Sequence, residues 1–203
     1  MNDLIAFFGQ KQNGKTSCAN FVSELAQNNC FWVHQFGDSL KKYFCDLFDI
    51  PEEHLEQWKV DESFIPPGCN ASVREGLKAL AEAARLFKED VWIQKTFKDF
   101  DQFKSKALRK SHGMAIGDGR FFLEIEEIKN RNGISVCVIH PNRRNDDNHR
   151  SEKELKPIYD QLLKDYPHGG AVSNGYFDWL IINDGDLNDL KSKVKEVVDF
   201  YEL

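Results

Sequence analysis

The stretch Gly9-Gln10-Lys11-Gln12-Asn13-Gly14-Lys15-Thr16 constrains this chain more than any other part of it, because it fits the pattern G-x-x-x-x-G-K-[ST] in full. The apolar run Leu4 to Phe8 leads into it as a buried strand. A helix follows from about Thr16, with Cys18, Phe21, Val22 and Leu25 on one face. That strand–loop–helix setting is the one in which the pattern acts as a phosphate-binding loop, or P-loop. Its two glycines let the backbone turn tightly and approach a phosphate, so that successive N–H groups point into one anion nest. Gly9, Lys11, Gln12, Asn13, Gly14, Lys15, Thr16 and Ser17 are the residues expected around the phosphates. Lys15 reaches the β- and γ-phosphates, the Thr16 hydroxyl ligates magnesium, and the helix adds its positive end. The expected cofactors are ATP and Mg2+.

Beyond this loop, short apolar runs alternate with segments of helical period, as in a parallel α/β sheet. Phe31 to Phe36 reads as the second strand, and Leu40, Tyr43, Phe44 and Leu47 mark the next helix. From Asp49 to about His112 the alternation breaks and a largely helical insertion is expected. Within it Ser72 and Glu75 form a capping box for a helix carrying Leu77, Leu80, Ala84 and Phe87. Met114 to Ile116 reads as a short strand ending at the turn Gly117-Asp118-Gly119, before a helix with Ile125 and Ile128. Ile134 to Ile139 is a β-branched strand. Ser151 and Glu154 look like a second capping box, for a helix with Leu155, Ile158, Leu162 and Leu163. Trp179 to Ile182 is the last strand, and Leu187 to Tyr201 is a closing helix. The expectation is one α/β domain over residues 1–203, with five parallel strands joined by right-handed crossovers.

Composition narrows the partners. The net charge is -6, which argues against a basic nucleic-acid-binding surface. The basic stretch Lys104, Lys106, Arg109 and Lys110 is explained at least as well by a solvated helix face. No apolar run is long enough to span a bilayer, and the start Met1-Asn2-Asp3 does not open a signal peptide. The five cysteines form no C-x-x-C pair, which favours a reducing compartment, so a cytoplasmic location is expected.

Which reaction the loop serves depends on its neighbours. No N-K-x-D signature of GTP-binding proteins occurs, nor an apolar run before an Asp-Glu pair. Asp118 is the candidate second acidic group, placed to meet magnesium or its water at the end of a buried strand. The alternative is an Asp serving a Gly-Asp-Gly turn. Arg143, Arg144 and Arg150 lie in a polar loop after the fourth strand. They suit a lid that neutralises charge on a transferred phosphoryl group, or else a solvated loop paired with Asp146 and Asp147.

In order along the chain, the segments resemble the phage-type deoxynucleoside monophosphate kinases, a branch of the P-loop nucleoside monophosphate kinases. Besides the P-loop, Phe36-Gly37-Asp38-Ser39-Leu40-Lys41 is similar to F-A-D-x-L-K. Val73-Arg74-Glu75 and Asp90-Val91-Trp92 resemble the central helical segment. Asp118-Gly119-Arg120-Phe121 resembles D-V-R-F, and Glu124 to Ile128 resembles N-E-x-x-x-I. His149 to Glu152 resembles H-x-S-E, and Ile182-Asn183-Asp184-Gly185 resembles I-x-N-D-G. Gln12 stands where many relatives carry a third glycine, which implies a stiffer loop. Gly119 replaces a β-branched residue, which implies a looser backbone before Arg120.

The resemblance implies a P-loop NTPase three-layer sandwich with a five-stranded parallel sheet, a helical acceptor-binding insertion over residues 49–112 and a short lid over 141–152. Asp38, Lys41 and Arg74 would contact the acceptor nucleotide, and Trp92 or Phe36 would either stack on its base or belong to the core. Arg120 would hold the acceptor phosphate and Arg143, Arg144 and Arg150 would form the lid. The implied catalytic set is Lys15, Asp118, Arg120, Arg143 and Arg144, with Thr16 and Asp118 on the metal. The implied activity is transfer of the ATP γ-phosphoryl group to a deoxynucleoside monophosphate, in a host cytoplasm if the origin is a phage. Partners would be these small molecules, not nucleic acid or membrane, with a homodimer left open. The alternatives are a P-loop kinase for another small acceptor, such as a coenzyme precursor, and a nucleotide sensor without catalysis.

Overall fold

A computed structural model describes residues 2–28, 30–106, 112–143 and 150–203. From the stretch expected to form a lid, Arg144, Asp146, Asp147 and His149, and from the basic stretch Arg109 and Lys110, lie outside the described residues. The chain divides into two compact units, Met1–Gln35 with Gln102–Leu203, and Phe36–Asp101.

In the first unit, β1 (Leu4–Phe8) is buried at every residue, because β3 (His112–Gly119) and β4 (Ile134–Ile139) flank it in parallel. β2 (Cys30–His34) pairs with β3, and β6 (Trp179–Ile182) with β4, again in parallel. A two-residue strand β5 (Gly170–Ala171) adds an antiparallel edge, giving the order β2-β3-β1-β4-β6-β5. The sheet thus has one strand more than expected among the described residues. β5 holds no apolar run, so nothing in its sequence reads as a strand.

Alternation along β1 divides the core. Ile5 and Phe7 join Cys18, Ala19 and Val22 of α1 (Lys15–Leu25) and Val194, Val197 and Val198 of α9 (Leu187–Phe200) in one cluster. On the other face Phe8 meets Phe177, and Leu4 lies beside Ile128 of α6 (Phe122–Asn130) and the backbone of Gly133. Each fully buried large side chain of this kind stabilises the fold by roughly 1.5–3 kcal/mol relative to exposure.

The second unit is helical: α2 (Phe36–Phe48), α3 (Glu52–Val60), α4 (Val73–Phe87) and most of α5 (Val91–Lys106). Its core joins Phe44, Cys45, Ile50, Leu55, Val73 and Leu77. The capping box of α4 is present, Ser72 Oγ accepting from the Glu75 N–H and the Glu75 carboxylate from the Ser72 N–H.

Three readings of local sequence are corrected. β2 stops at His34 and Phe36 opens α2, its ring edge-on to Phe97 within the helical unit. The helical unit begins there. The Gly117-Asp118-Gly119 segment is not a turn: β3 runs through it. Its glycines are there for space, since a Cβ on Gly117 would come within 2.9 Å of Thr16 Cα and one on Gly119 within 2.5 Å of the Phe8 ring. Finally, the helix expected from Ser151 is divided in two. The chain makes a short α7 (Arg150–Lys153) and then α8 (Lys156–Asp165), and the Glu154 carboxylate is used on the Phe122 N–H, at 2.9 Å.

Candidate functional site

The P-loop leaves the C-terminal end of β1, the edge of a parallel sheet at which ligands bind. Gly9 is fixed by proximity: a Cβ would lie 2.2 Å from the Val138 carbonyl oxygen of β4. Gly14, at φ 97°, has the left-handed backbone that glycine adopts without steric cost. Gln12 adopts a similar conformation at φ 64° with a side chain attached. This is the physical content of the missing third glycine, a strain of about 1 kcal/mol. Asn13 is buried and its amide bolts the loop to β4 through the Val138 carbonyl at 3.0 Å. Its own carbonyl accepts from Asn183 Nδ2 at 3.0 Å, and Asn183 N–H reaches the Ile139 carbonyl at 2.7 Å. The Asn-Asp-Gly turn after β6 therefore braces the loop.

α1 starts at Lys15, and its amides before Cys18 have no carbonyl within the helix to bond, so they open on the loop. The Lys15 ammonium is folded inward, donating to the Gly9 and Gln10 carbonyls at 2.7 Å each. Burial first and the Arg120 charge second lower its pKa from 10.5 to about 7, with Asp118 opposing both. Lys15, Arg120 and Asp118 thus share one electrostatic site. The Thr16 hydroxyl donates to the Gly117 carbonyl at 3.2 Å, directly before Asp118 in β3. The hydroxyl and the carboxylate make a hard oxygen pair of the kind magnesium takes. Ser17 follows in the first turn of α1 and is half-buried.

Arg120 sits just past β3. Its backbone N–H and that of Phe121 both donate to one oxygen of the buried Glu124, at 2.6 and 3.0 Å. Beside Gly119 the Phe8 ring fills the space where a Cβ would lie, and Glu124 holds the N–H of the next residue. The Arg120 guanidinium pairs with Glu152 of α7, whose other oxygen accepts the Lys11 N–H at 2.8 Å. Arg143 donates to the Gln12 carbonyl and Gln10 to the Glu152 carbonyl, so both described ends of the 141–152 segment touch the P-loop. Arg150 instead turns to Glu154 at 2.9 Å and to the face of Phe121.

In the helical unit, Lys41 lies between Asp38, at 3.4 Å, and Glu56, at 3.0 Å. Arg74 bonds Glu62 at 2.8 Å and the Lys59 carbonyl at 3.3 Å. Trp92 is not an open stacking face: it is 7% exposed, its indole N–H donates to the Ala81 carbonyl, and its ring lies near Tyr43. It is a core residue, and so is Phe36, at 3% exposure.

Sequence reasoning by motif passed over Glu124, Glu152, Glu154 and Asn183 as functional groups. Glu124 carries a partial signal, a Glu at the third helical position. Glu152 carries none locally, because its partners lie 32 and 141 residues away.

No protein-family model matches the chain, and no curated protein matches it in sequence. Among solved structures it is similar to dephospho-CoA kinase from Campylobacter jejuni, with 13% identity, 100% of this chain and 98% of that one covered, and a TM-score of 0.51. It also aligns with shikimate kinase from Acinetobacter baumannii in complex with shikimate, at 14% identity, 100% and 96% coverage and a TM-score of 0.44. At 13% identity the likeness to the first of these shows the fold alone, an α/β fold with a mostly parallel sheet.

Proposed function

We propose that this protein is an ATP-dependent kinase that transfers the γ-phosphoryl group to the phosphate of a deoxynucleoside monophosphate, giving the diphosphate. One observation carries the reading. A single carboxylate spans the Lys11 N–H of the P-loop and the guanidinium of Arg120. Two anion-binding groups, one on the donor loop and one past β3, therefore lie within the reach of one small anion. That spacing suits phosphoryl transfer between two phosphates. The family resemblance assigns Asp38, Lys41 and Arg74 to the acceptor.

The acceptor phosphate is already an anionic nucleophile, so no strong general base is required. Lys15, the P-loop amides and the positive end of α1 hold the donor phosphates. Arg120 holds the acceptor phosphate and Arg143 and Arg144 neutralise charge as the phosphoryl group moves. Thr16 and Asp118 would hold magnesium, which supplies further neutralisation of the phosphate oxygens when bound.

The test is ADP release with ATP, magnesium and each common deoxynucleoside and ribonucleoside monophosphate in turn. Release that depends on a deoxynucleotide is expected, with Lys15→Ala lowering it by about 10²-fold or more. An unaffected rate in that variant would sink the site assignment. ATP binding without release for any nucleotide would point to another small acceptor or to a sensor.

A further inference from the structure

Glu152 has a side chain only 2% exposed, although it belongs to a four-residue helix beside the P-loop. Oε2 accepts the Lys11 N–H at 2.8 Å and Oε1 accepts from Arg120 Nη1. Around it the segment is stitched to the same loop. Gln10 Nε2 donates to the Glu152 carbonyl at 3.1 Å, and Arg143 donates to the Gln12 carbonyl. The donors that the kinase reading assigns to phosphate oxygens are thus held by an anion of the protein itself. A carboxylate and a phosphoryl group make the same short, charge-assisted bonds to N–H and guanidinium groups. Both cannot be present together, because a phosphate on these donors would lie against a buried carboxylate of the same sign.

We propose that Glu152 is an internal phosphate surrogate. In the nucleotide-free protein it closes the P-loop and Arg120, and the α7 segment must withdraw it before a phosphate-bearing ligand is seated. The proposal rests on the kinase reading of the site and adds a regulation to it. While the carboxylate is in place, Arg120 is a paired rather than an orphaned cation, which keeps the empty site stable. Ligand affinity is reduced by the cost of displacing the carboxylate, as for any protein whose competent state is a minor population. A ligand with several phosphates and a nucleoside to bind overcomes that threshold more readily than a lone phosphate.

A positioning role, with Glu152 aiming Arg120 during the reaction, makes the opposite prediction for binding. The experiment is calorimetric titration of wild type, Glu152→Gln and Glu152→Ala with MgATP and, separately, with inorganic pyrophosphate. Both variants are expected to bind each ligand about tenfold more tightly than wild type, the fold-change that goes with one charge-assisted hydrogen bond. Equal or weaker binding by the variants, with wild type still binding MgATP, overturns the surrogate and leaves the kinase reading standing. No MgATP binding by any of the proteins overturns both. If the variants do not fold, hydrogen exchange on wild type decides. Amides of residues 150–153 should exchange faster when MgATP is added, and slower or unchanged exchange overturns the proposal.

Discussion

Replacing Lys15 by methionine should stabilise the nucleotide-free protein, and by an amount that depends on pH. In the folded chain this amine is buried, with a pKa of about 7 against an ordinary 10.5. Because the folded value is the lower one, the unfolded chain binds more protons between these two pH values. Wild-type stability therefore rises with pH across that window. At neutral pH, holding the lysine in its site costs up to about 4 kcal/mol relative to the unfolded chain. By pH 9 that cost has fallen to about 2 kcal/mol. Methionine fills the same space with no charge to bury, so its advantage over lysine should shrink by about 2 kcal/mol between pH 7 and 9. Other groups that titrate in this range are common to both proteins and cancel in the difference. The assay is urea unfolding of wild type and Lys15→Met across that range. A stability gap that stays constant, or widens with rising pH, would refute the claim that burial lowers the Lys15 pKa.

Three further outcomes follow from the structure. Nucleotide phosphates return the charge that burial takes from Lys15, so MgATP binding at pH 8 should take up about 0.9 proton; titrations in buffers of different ionisation enthalpy read this, and Lys15→Met should abolish it. Gly119→Val puts a branched side chain against the Phe8 ring and should cost about 1–3 kcal/mol in urea unfolding, despite matching the residue type of the resembling family; wild-type stability would show that the ring yields. Ser72→Ala removes half of the α4 capping box and should cost about 1 kcal/mol, read as a lower melting temperature.

What could be read from the sequence was whatever is encoded within about one helical turn. The P-loop, the strand before it, the helix after it and the Ser72–Glu75 box all depend on residues a few positions apart, and the structure has them. Gly117-Asp118-Gly119 misled because glycine signals both turns and close packing. The neighbours that require it, Thr16 and Phe8, are far away in sequence. Ser151 and Glu154 have the spacing of a capping box, but Glu154 is drawn to the start of α6 by a contact across 32 residues. Trp92 and Phe36 looked like stacking candidates because an aromatic side chain reads the same whether it is buried or open. Most of the site beyond the loop has this non-local character. Asn183 braces Asn13 from 170 residues away, and Glu152 reaches Lys11 from 141.

Phosphoryl transfer is read by incubating the protein with magnesium and ATP labelled at the γ-phosphoryl group, together with each deoxynucleoside monophosphate, and separating the products. Label is expected in a deoxynucleoside diphosphate for at least one base, and is expected to be lost in Lys15→Ala and in Arg120→Ala. Label that stays in ATP, or appears only as free phosphate whichever monophosphate is present, would contradict the kinase reading.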